Sequence, residues 1–343
     1  MRNARKSVAQ LIGAQVLEVV FTSGGSEANN EVLMGVFSAI NSGKNKKFQQ
    51  QERNELVVSS VEHPSVMKAS AHLAQIGVVV KKIPVNRDGS IDLEVFAQML
   101  SSKTALVSMM FANNETGHMF PIQKMVKIAH EHGAYFHCDA VQALGKCPVD
   151  VKKWDVDFAS FSAHKFYALK GTGVLYQKKG VIFEPLIHGG GQERGRRAGT
   201  ENVLSVAAFG EMAKKYEEID TRAATMKELR IYLESLLLEQ ISDIEILGAK
   251  GKRLPNTVNA LVSGIDGETL LMNLDLEGVS VSTGAACSSG SREPSPVLLA
   301  MGFSVAEAQR SLRMSLGWDT SKQELDDFVT ILKSVVTRVR KLL

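Results

Sequence analysis

Cysteine is scarce in this sequence of 343 residues, which contains three and no Cys-x-x-Cys pair. Disulfide-rich secreted domains and structural zinc sites depend on paired or closely spaced cysteines, so the sequence favours neither. A reducing compartment suits such a chain, and we expect it to be cytoplasmic.

Long apolar runs and strong charge are also missing. No stretch of about 18 consecutive apolar residues is present to span a bilayer. The formal net charge is +3, and the densest basic stretch, GKNKKF at 43–48, is short and has no aromatic residues between its lysines. We therefore expect no membrane partner and no nucleic-acid partner.

The length exceeds the size at which one hydrophobic core keeps growing, so two domains are expected. From Val16 to about residue 180, short β-branched runs alternate with helical patterns. This alternation predicts an α/β fold with a mostly parallel sheet flanked by helices and with ligands at the carboxyl ends of its strands. Near residue 211 the pattern changes to long charged helices. We predict a large domain over 1–210 and a smaller α+β domain over 211–343.

The first twenty residues are basic and contain no acidic residue before Glu18, a pattern that suits a transit peptide. However, Val8, Leu11 and Ile12 also form one apolar helix face that leads directly into a strand. We favour the structural interpretation.

A small-residue turn follows the first strand in TSGGSEANN at 22–30. Unpaired N–H groups at a helix start attract anions, and Gly24 and Gly25 allow a phosphate to approach closely. The Ser26 hydroxyl can donate a further bond, although by itself such a serine more often caps its helix. The motif is neither G-x-G-x-x-G nor G-K-S/T, so a plain dinucleotide or ATP site is poorly supported.

Two charged residues follow buried strands further along the chain. Asp139 in FHCDAVQALG can cap the next helix or hold a cationic group of a ligand. Lys165 in SFSAHKFY can be a solvated surface cation, but the core-like strand before it places it at the functional edge of the sheet. A lysine there can lose its proton and form a Schiff base.

An amine for an imine, an acid for a ring nitrogen and a helix start for a phosphate together match the requirements of pyridoxal phosphate. His63, in SSVEHPSV, also follows a strand and can stack on the ring or move protons, or it can be a helix-start histidine without chemistry. Cys287 stands in AACSSGS, among side chains too small to bury it. A free cysteine is generally buried, so a cysteine considered by itself favours a structural interpretation.

These stretches resemble the NifS/IscS-type cysteine desulfurases, which are fold type I, class V aminotransferase-like pyridoxal phosphate enzymes that act as homodimers. The resemblance covers essentially the whole chain. It rests, in order, on TSGGSEANN, EHPSV, NNETG, HCDAVQ, SFSAHK, HGGGQERGRRAGTEN, STGAACSSGSREPSPVL and SLRMSLG.

The resemblance implies catalytic roles for three residues. Lys165 would be the Schiff-base lysine, His63 the stacking and proton-shuttling histidine, and Cys287 the nucleophile that keeps the substrate sulfur as a persulfide.

It also implies the residues that bind the cofactor and the substrate. Asn114 would lie beside the ring with the substrate carboxylate in reach, and Arg313 would bind that carboxylate. The remaining cofactor contacts would come from the phosphate-binding, ring-binding and cross-dimer positions Gly25, Ser26, Ser162, His164, Asp139, Gln142, Lys165 and, from the other subunit, Thr200.

The implied reaction converts L-cysteine to L-alanine and passes sulfur to an acceptor protein such as an iron–sulfur scaffold, or to a thiolation carrier. Relative to the family, the sequence lacks an N-terminal segment near the substrate and ends at RKLL, short of the IscS-like tail. Three alternatives remain open: a selenocysteine lyase, another aminotransferase-fold enzyme, and a truncated pseudoenzyme or interaction scaffold.

Overall fold

A computed structural model describes residues 1–49, 52–215, 218–284 and 293–342, which form two compact units. The first unit comprises residues 1–83, 91–111 and 120–219, and the second comprises 84–90, 112–119 and the part of 220–343 that is described. Two short segments from the first half of the sequence therefore belong to the second unit. The assignment of cofactor binding to 1–210 and of the catalytic loop to 211–343 stays a prediction.

The first unit is built on a seven-stranded sheet with the order β1-β7-β6-β5-β4-β2-β3. Strands β2 to β6 are parallel, whereas β7 runs antiparallel to both β6 and β1. The predicted α/β fold with a mostly parallel sheet is confirmed. The strands are β1 Val19–Thr22, β2 Glu55–Ser59, β3 Val79–Ile83, β4 Thr104–Met110, β5 Tyr135–Asp139, β6 Phe158–Ser162 and β7 Gly173–Gln177.

Helices flank this sheet and bury their apolar faces against it. In α2, Val32, Leu33 and Val36 are fully buried and join Leu56 and Leu106 of the strands in one core. A helix that buries apolar residues at three- and four-residue spacing packs on a sheet in this way. The helices are α1 Arg2–Leu11, α2 Gly25–Asn41, α3 Pro64–Gln75, α4 Leu93–Met99, α5 Ile122–Glu131, α6 Val151–Trp154 and α7 Val203–Ala213.

The first helix is an integral part of the first unit, as the apolar face of Val8, Leu11 and Ile12 predicts. It packs on α7 so closely that a Cβ atom on Gly210 would lie 2.5 Å from the Cβ of Ala4. Arg5 donates to both carboxylate oxygens of buried Glu193, at 2.6 and 2.5 Å, and Phe21 N donates to the same carboxylate at 3.0 Å. The polar loop over 187–200 is thus anchored to α1 and β1 by one buried side chain.

The second unit contains a three-stranded antiparallel sheet in the order β10-β9-β8. Its core joins Val258 and Ala260 of the central strand to Val329 and Leu332 of the last helix. The elements are α8 Ile219–Gln240, β8 Ile244–Ile246, β9 Thr257–Val262, α9 Gly267–Leu276, α10 Pro296–Ala300, α11 Val305–Ala308, β10 Ser311–Ser315 and α12 Lys322–Arg340. In neither unit is any described helix long and apolar enough to cross a bilayer.

Candidate functional site

Asp139 ends β5, near the middle of the seven-stranded sheet, and is 5% exposed. Its Oδ2 accepts a hydrogen bond from Asn29 Nδ2 at 2.7 Å, and its Oδ1 accepts one from Val141 N at 3.0 Å. Burial raises the pKa of this carboxyl above its ordinary value, although the two hydrogen bonds act in the opposite direction. Both donors are neutral, so the carboxylate is buried without a hydrogen-bonded cation among the described residues.

Lys165 follows β6, the strand next to β5, in a short 3-10 turn over Ala163–Phe166. The chain places this lysine at the carboxyl edge of the sheet, where its side chain is exposed. Ser162 lies at the end of β6, and its hydroxyl is 2.9 Å from Nδ1 of His164. Burial and the neighbouring Lys165 and Lys170 lower the pKa of His164. Lysine and aspartate therefore follow adjacent parallel strands, as the sequence predicts.

His63 caps the start of α3, just after β2. Its Nδ1 accepts a hydrogen bond from Ser65 N at 3.2 Å and lies 2.8 Å from Ser65 Oγ. Burial lowers the pKa of His63, Asp139 opposes that shift, and Lys165 adds to it. Hydrogen bonds through Asn29 and Ser65 link this ring to Asp139, and Lys165 follows the strand next to the one that Asp139 ends.

Helix α2 begins at Gly25, directly after the turn that the sequence predicts to bind an anion. A Cβ atom at Gly25 would lie 2.5 Å from Cγ2 of Val141 and 3.6 Å from Cβ of Ser162, so a side chain there would displace its neighbours. The helix start therefore approaches the ends of β5 and β6 closely. Ser26, the next residue, is exposed.

Gln142 lies three residues after Asp139 and is half-buried. Its Oε1 accepts a short hydrogen bond from Lys146 Nζ. Because the side-chain carbonyl oxygen of Gln142 already accepts from Lys146, the amide hydrogens of Gln142 are the atoms that can bond to a ligand.

Thr200 lines a cavity of about 230 Å³ in the first unit. Thr22 and Ser23, which directly precede the start of α2, line the same cavity, as does Arg197. Arg197 in turn pairs with Glu27 in the first turn of α2, with its Nε 2.8 Å from the carboxylate. The predicted cross-dimer threonine thus lies on the same side of the unit as the predicted phosphate-binding turn.

The second unit brings the two predicted substrate-binding residues together. Arg313 lies in the middle of β10, and its Nη1 donates to the carbonyl oxygen of Asn114 at 3.4 Å. The Nε–H of Arg313 is buried and has no partner among the described residues. The guanidinium therefore retains a donor for an anionic ligand.

Cys287 lies outside the described residues. Gly284 and Ser295 lie on either side of that part of the sequence, and both belong to the second unit. Gly284 N donates to Ser311 Oγ at 3.2 Å, and Ser295 Oγ donates to Oε2 of Glu115 in a short bond.

Burial raises the pKa of Glu115 to about 7, against the effects of Ser295 and Arg313. Glu115 was not identified from the sequence, although it belongs to the NNETG motif.

Glu62 is a buried acid that sequence reasoning also missed, although it precedes His63 directly. Its Oε1 accepts from Ser59 Oγ at 2.6 Å and from Met110 N at 2.8 Å, while its Oε2 has no partner among the described residues. Met110 pairs in register with Asp139 on the adjacent strand. Burial, with a smaller contribution from Asp139, raises the pKa of Glu62 to about 8.

Replacing Glu62 with glutamine is expected to increase the stability of the cofactor-free protein at alkaline pH. A carboxyl whose pKa rises from 4.5 to about 8 on folding binds its proton more tightly in the folded state. The free energy of unfolding therefore falls as pH rises through that interval, and glutamine removes this loss. Urea unfolding at pH 6 and pH 9 should show a larger gain at pH 9, about 1–3 kcal/mol.

Glu55 of β2 provides a matched control for that experiment. Although burial acts to raise its pKa, hydrogen bonds from Lys81, Ser101 and Thr104 lower it below the ordinary value. A lowered carboxyl pKa stabilises the fold above the unfolded value, so Glu55→Gln should lose stability at both pH values. A loss of stability in Glu62→Gln at pH 9 would contradict the expectation.

Comparisons with known proteins agree with this arrangement. Residues 1–328 match the family model described as aminotransferase class-V. The chain is 42% identical to a protein of Dictyoglomus turgidum named cysteine desulfurase IscS, over 99% of this chain and 84% of that protein. It is 39% identical to the cysteine desulfurase NifS of Azotobacter vinelandii, over 99% of this chain and 83% of that protein.

A solved structure named NifS-like protein superposes with a TM-score of 0.88 at 35% identity, over 98% of this chain and 87% of that one. The similarity thus extends over nearly the whole chain, and the residues that match the family model, 1–328, include all the motifs that the sequence analysis singled out. The chain belongs to the class-V aminotransferase family.

Proposed function

We propose that this protein is a cysteine desulfurase, a pyridoxal phosphate-dependent enzyme that converts L-cysteine to L-alanine and keeps the sulfur as a persulfide on Cys287. One observation carries the proposal: Asp139 and Lys165 stand at the carboxyl ends of adjacent parallel strands, with His63 linked to Asp139 by hydrogen bonds, in a chain 42% identical to a cysteine desulfurase.

The surroundings of Asp139 fit the ring of the cofactor. A buried carboxylate whose hydrogen-bond donors are both neutral is costly unless an opposite charge approaches it. A protonated ring nitrogen would supply that charge, and the carboxylate would keep the nitrogen protonated. Pyridoxal phosphate bound in this way supplies an electron sink.

The start of α2 fits the phosphate. The first turn of this helix has unpaired N–H groups, and its first residue, Gly25, lies so close to Val141 and Ser162 that a side chain there would displace its neighbours. Ser26, Ser162 and His164 would donate to the phosphate oxygens. Gln142 would donate its amide hydrogens to the phenolic oxygen of the ring.

The substrate carboxylate would bind to the second unit's Arg313, whose buried Nε–H has no partner among the described residues. Asn114 is held next to that guanidinium through its own carbonyl oxygen. A planar guanidinium binds a carboxylate through two parallel hydrogen bonds, so this contact would orient the amino acid.

Proton transfer would be divided between two residues. The amine of Lys165 would remove the Cα proton, and His63 would present its Nε2 atom near the substrate sulfur. The Cys287 thiolate would attack that sulfur, so that an S–S bond forms, the C–S bond breaks and its electron pair stays on Cβ. After Cβ and Cα have each taken up a proton, alanine would leave.

We further propose a cytoplasmic homodimer in which Thr200 reaches the phosphate bound by the other subunit. The exposure of Thr200 beside the cavity at the start of α2 supports this role. The persulfide would then be passed to an acceptor protein such as an iron–sulfur scaffold. Sedimentation of the cofactor-loaded protein tests the dimer, since a monomer that keeps all its cofactor would exclude a role for Thr200.

Product analysis tests the central proposal. The purified, cofactor-loaded protein is incubated with L-cysteine and a thiol reductant, and alanine and sulfide are measured together. A desulfurase releases them in equal amounts. A much higher kcat/KM for selenocysteine would favour a selenocysteine lyase, and a protein that binds no cofactor would favour a pseudoenzyme or scaffold.

A further inference from the structure

A chain of hydrogen bonds connects Asp139 to His63 through two residues with no assigned role. Asn29 of α2 is 1% exposed, and its Nδ2 lies 2.7 Å from Asp139 Oδ2 and 2.9 Å from Ser65 Oγ. Ser65 Oγ in turn lies 2.8 Å from His63 Nδ1. Four side chains from two helix starts and one strand end therefore form one continuous network.

The donors and acceptors in this network can be assigned one by one. An amide nitrogen carries two hydrogens, and Asn29 directs one to Asp139 and the other to Ser65 Oγ. The reverse amide orientation would place an oxygen against the Asp139 carboxylate, acceptor against acceptor. Ser65 Oγ thus accepts from Asn29, and its single hydrogen remains for His63.

Nδ1 of His63 is consequently an acceptor. A backbone N–H can only donate, and Ser65 N also points at Nδ1, from 3.2 Å. With two donors directed at Nδ1, the neutral ring must carry its proton on Nε2. A protonated ring would place an Nδ1–H against the Ser65 N–H, so the network disfavours the imidazolium form.

We propose that Asn29 and Ser65 are positioning residues that link His63 to Asp139 and hold His63 as a neutral ring with its proton on Nε2. The proposal rests on the proposed function in one respect, the role of His63 in the reaction. In the resting enzyme, His63 then presents a hydrogen-bond donor, and proton removal from Cα falls to Lys165.

The net effect of the surroundings of His63 favours a neutral ring. Burial and Lys165 lower its pKa, while Asp139 acts in the opposite direction. Asn29 is bonded to both Asp139 and Ser65, so the network connects this carboxylate to the ring. The network therefore determines the tautomer of His63, while burial and Lys165 favour its neutral form.

Nitrogen NMR of the histidine-labelled holoenzyme tests the proposal without substrate. The signals of His63 are identified by their loss in His63→Gln. In the wild type we expect an unprotonated Nδ1 and a protonated Nε2 between pH 6 and pH 8. A wild-type ring with its proton on Nδ1 would overturn the proposal.

Ser65→Ala removes the hydroxyl and leaves the backbone donor, so we expect His63 to show a mixture of tautomers. We also expect kcat to fall about fivefold, the effect of one lost hydrogen bond, with KM little changed. Ser65→Thr retains the hydroxyl and should restore both properties. Either an unchanged tautomer or an unchanged kcat in Ser65→Ala would overturn the proposal.

Ser70→Ala is the matched control. Ser70 lies in the same helix, is 1% exposed and donates its hydroxyl to Val66 O, without contacting His63. This variant should keep the wild-type tautomer and kcat. Because the NMR measurement requires no turnover, it remains decisive even if the protein were not a desulfurase.

Discussion

Replacing Lys165 with alanine is expected to reduce alanine release from L-cysteine by about 10³-fold or more. The proposed site assigns this amine two functions, covalent attachment of the cofactor and removal of the Cα proton, and a positioned base alone contributes about 10²–10⁴-fold. The absorption band of the lysine-bound cofactor should disappear in the same variant. Turnover and visible absorption of the reconstituted variant provide both measurements.

Lys170 provides the control for that experiment. It is an exposed lysine in the same segment, and Ser205 Oγ contacts it only through its backbone carbonyl. Lys170→Ala should retain both the absorption band and the turnover. If the band survived in Lys165→Ala, the lysine assignment would be wrong.

Replacing Cys287 with serine is expected to reduce persulfide formation to background and alanine release from L-cysteine by about 10²-fold or more. Thiolate is both the better nucleophile and the group that can hold sulfur as a persulfide, and a hydroxyl replaces neither property. Cofactor binding and its absorption should remain, because the cofactor contacts proposed above do not include this residue. Alanine assay and mass measurement of the protein after one turnover test both expectations.

The two other cysteines provide controls that show whether the loss of activity is specific to the Cys287 thiol. Cys147 is buried, its Sγ contacts Ala143 O at 3.4 Å, and burial raises its pKa to about 12. Cys138 is wholly buried, and burial raises the pKa of its thiol as well. Cys147→Ala should therefore keep full turnover. Alanine release by Cys287→Ser at the wild-type rate would eliminate the persulfide mechanism and favour an ordinary aminotransferase-fold activity.

The sequence was sufficient to predict the parallel sheet and the residues at its carboxyl edge. Asp139 and Lys165 could be found because each follows a buried strand directly, and parallel strands end at one edge. The antiparallel direction of β7 was not predictable in the same way. It depends on the short turn after Lys165, which returns the chain to pair with β6 without a helical crossover.

The hydrogen-bond network around Asp139 was beyond sequence reasoning for a different reason. Asn29 and Asp139 are 110 residues apart, and Asn29 and Ser65 are 36 residues apart. All three residues belong to motifs named in the sequence analysis, TSGGSEANN, EHPSV and HCDAVQ. Hydrophobic periodicity, however, predicts only which face of a helix or strand is buried. Which polar atoms meet across elements depends on the packing of α2 and α3 on the sheet.

The buried pair of Arg5 and Glu193 has a consequence for synthesis of the protein. The two residues are 188 positions apart, and the helix that carries Arg5 also packs against α7, which ends at Ala213. At about 5–20 residues per second, a ribosome needs roughly 10–40 s to supply the partner after Arg5 has been made. Throughout that interval the apolar face of Val8, Leu11 and Ile12 has no surface of α7 to cover it. On the nascent chain this amphipathic helix is therefore an exposed segment that a chaperone can bind. The helix can pack on α7 only after nearly the whole first unit has been synthesised.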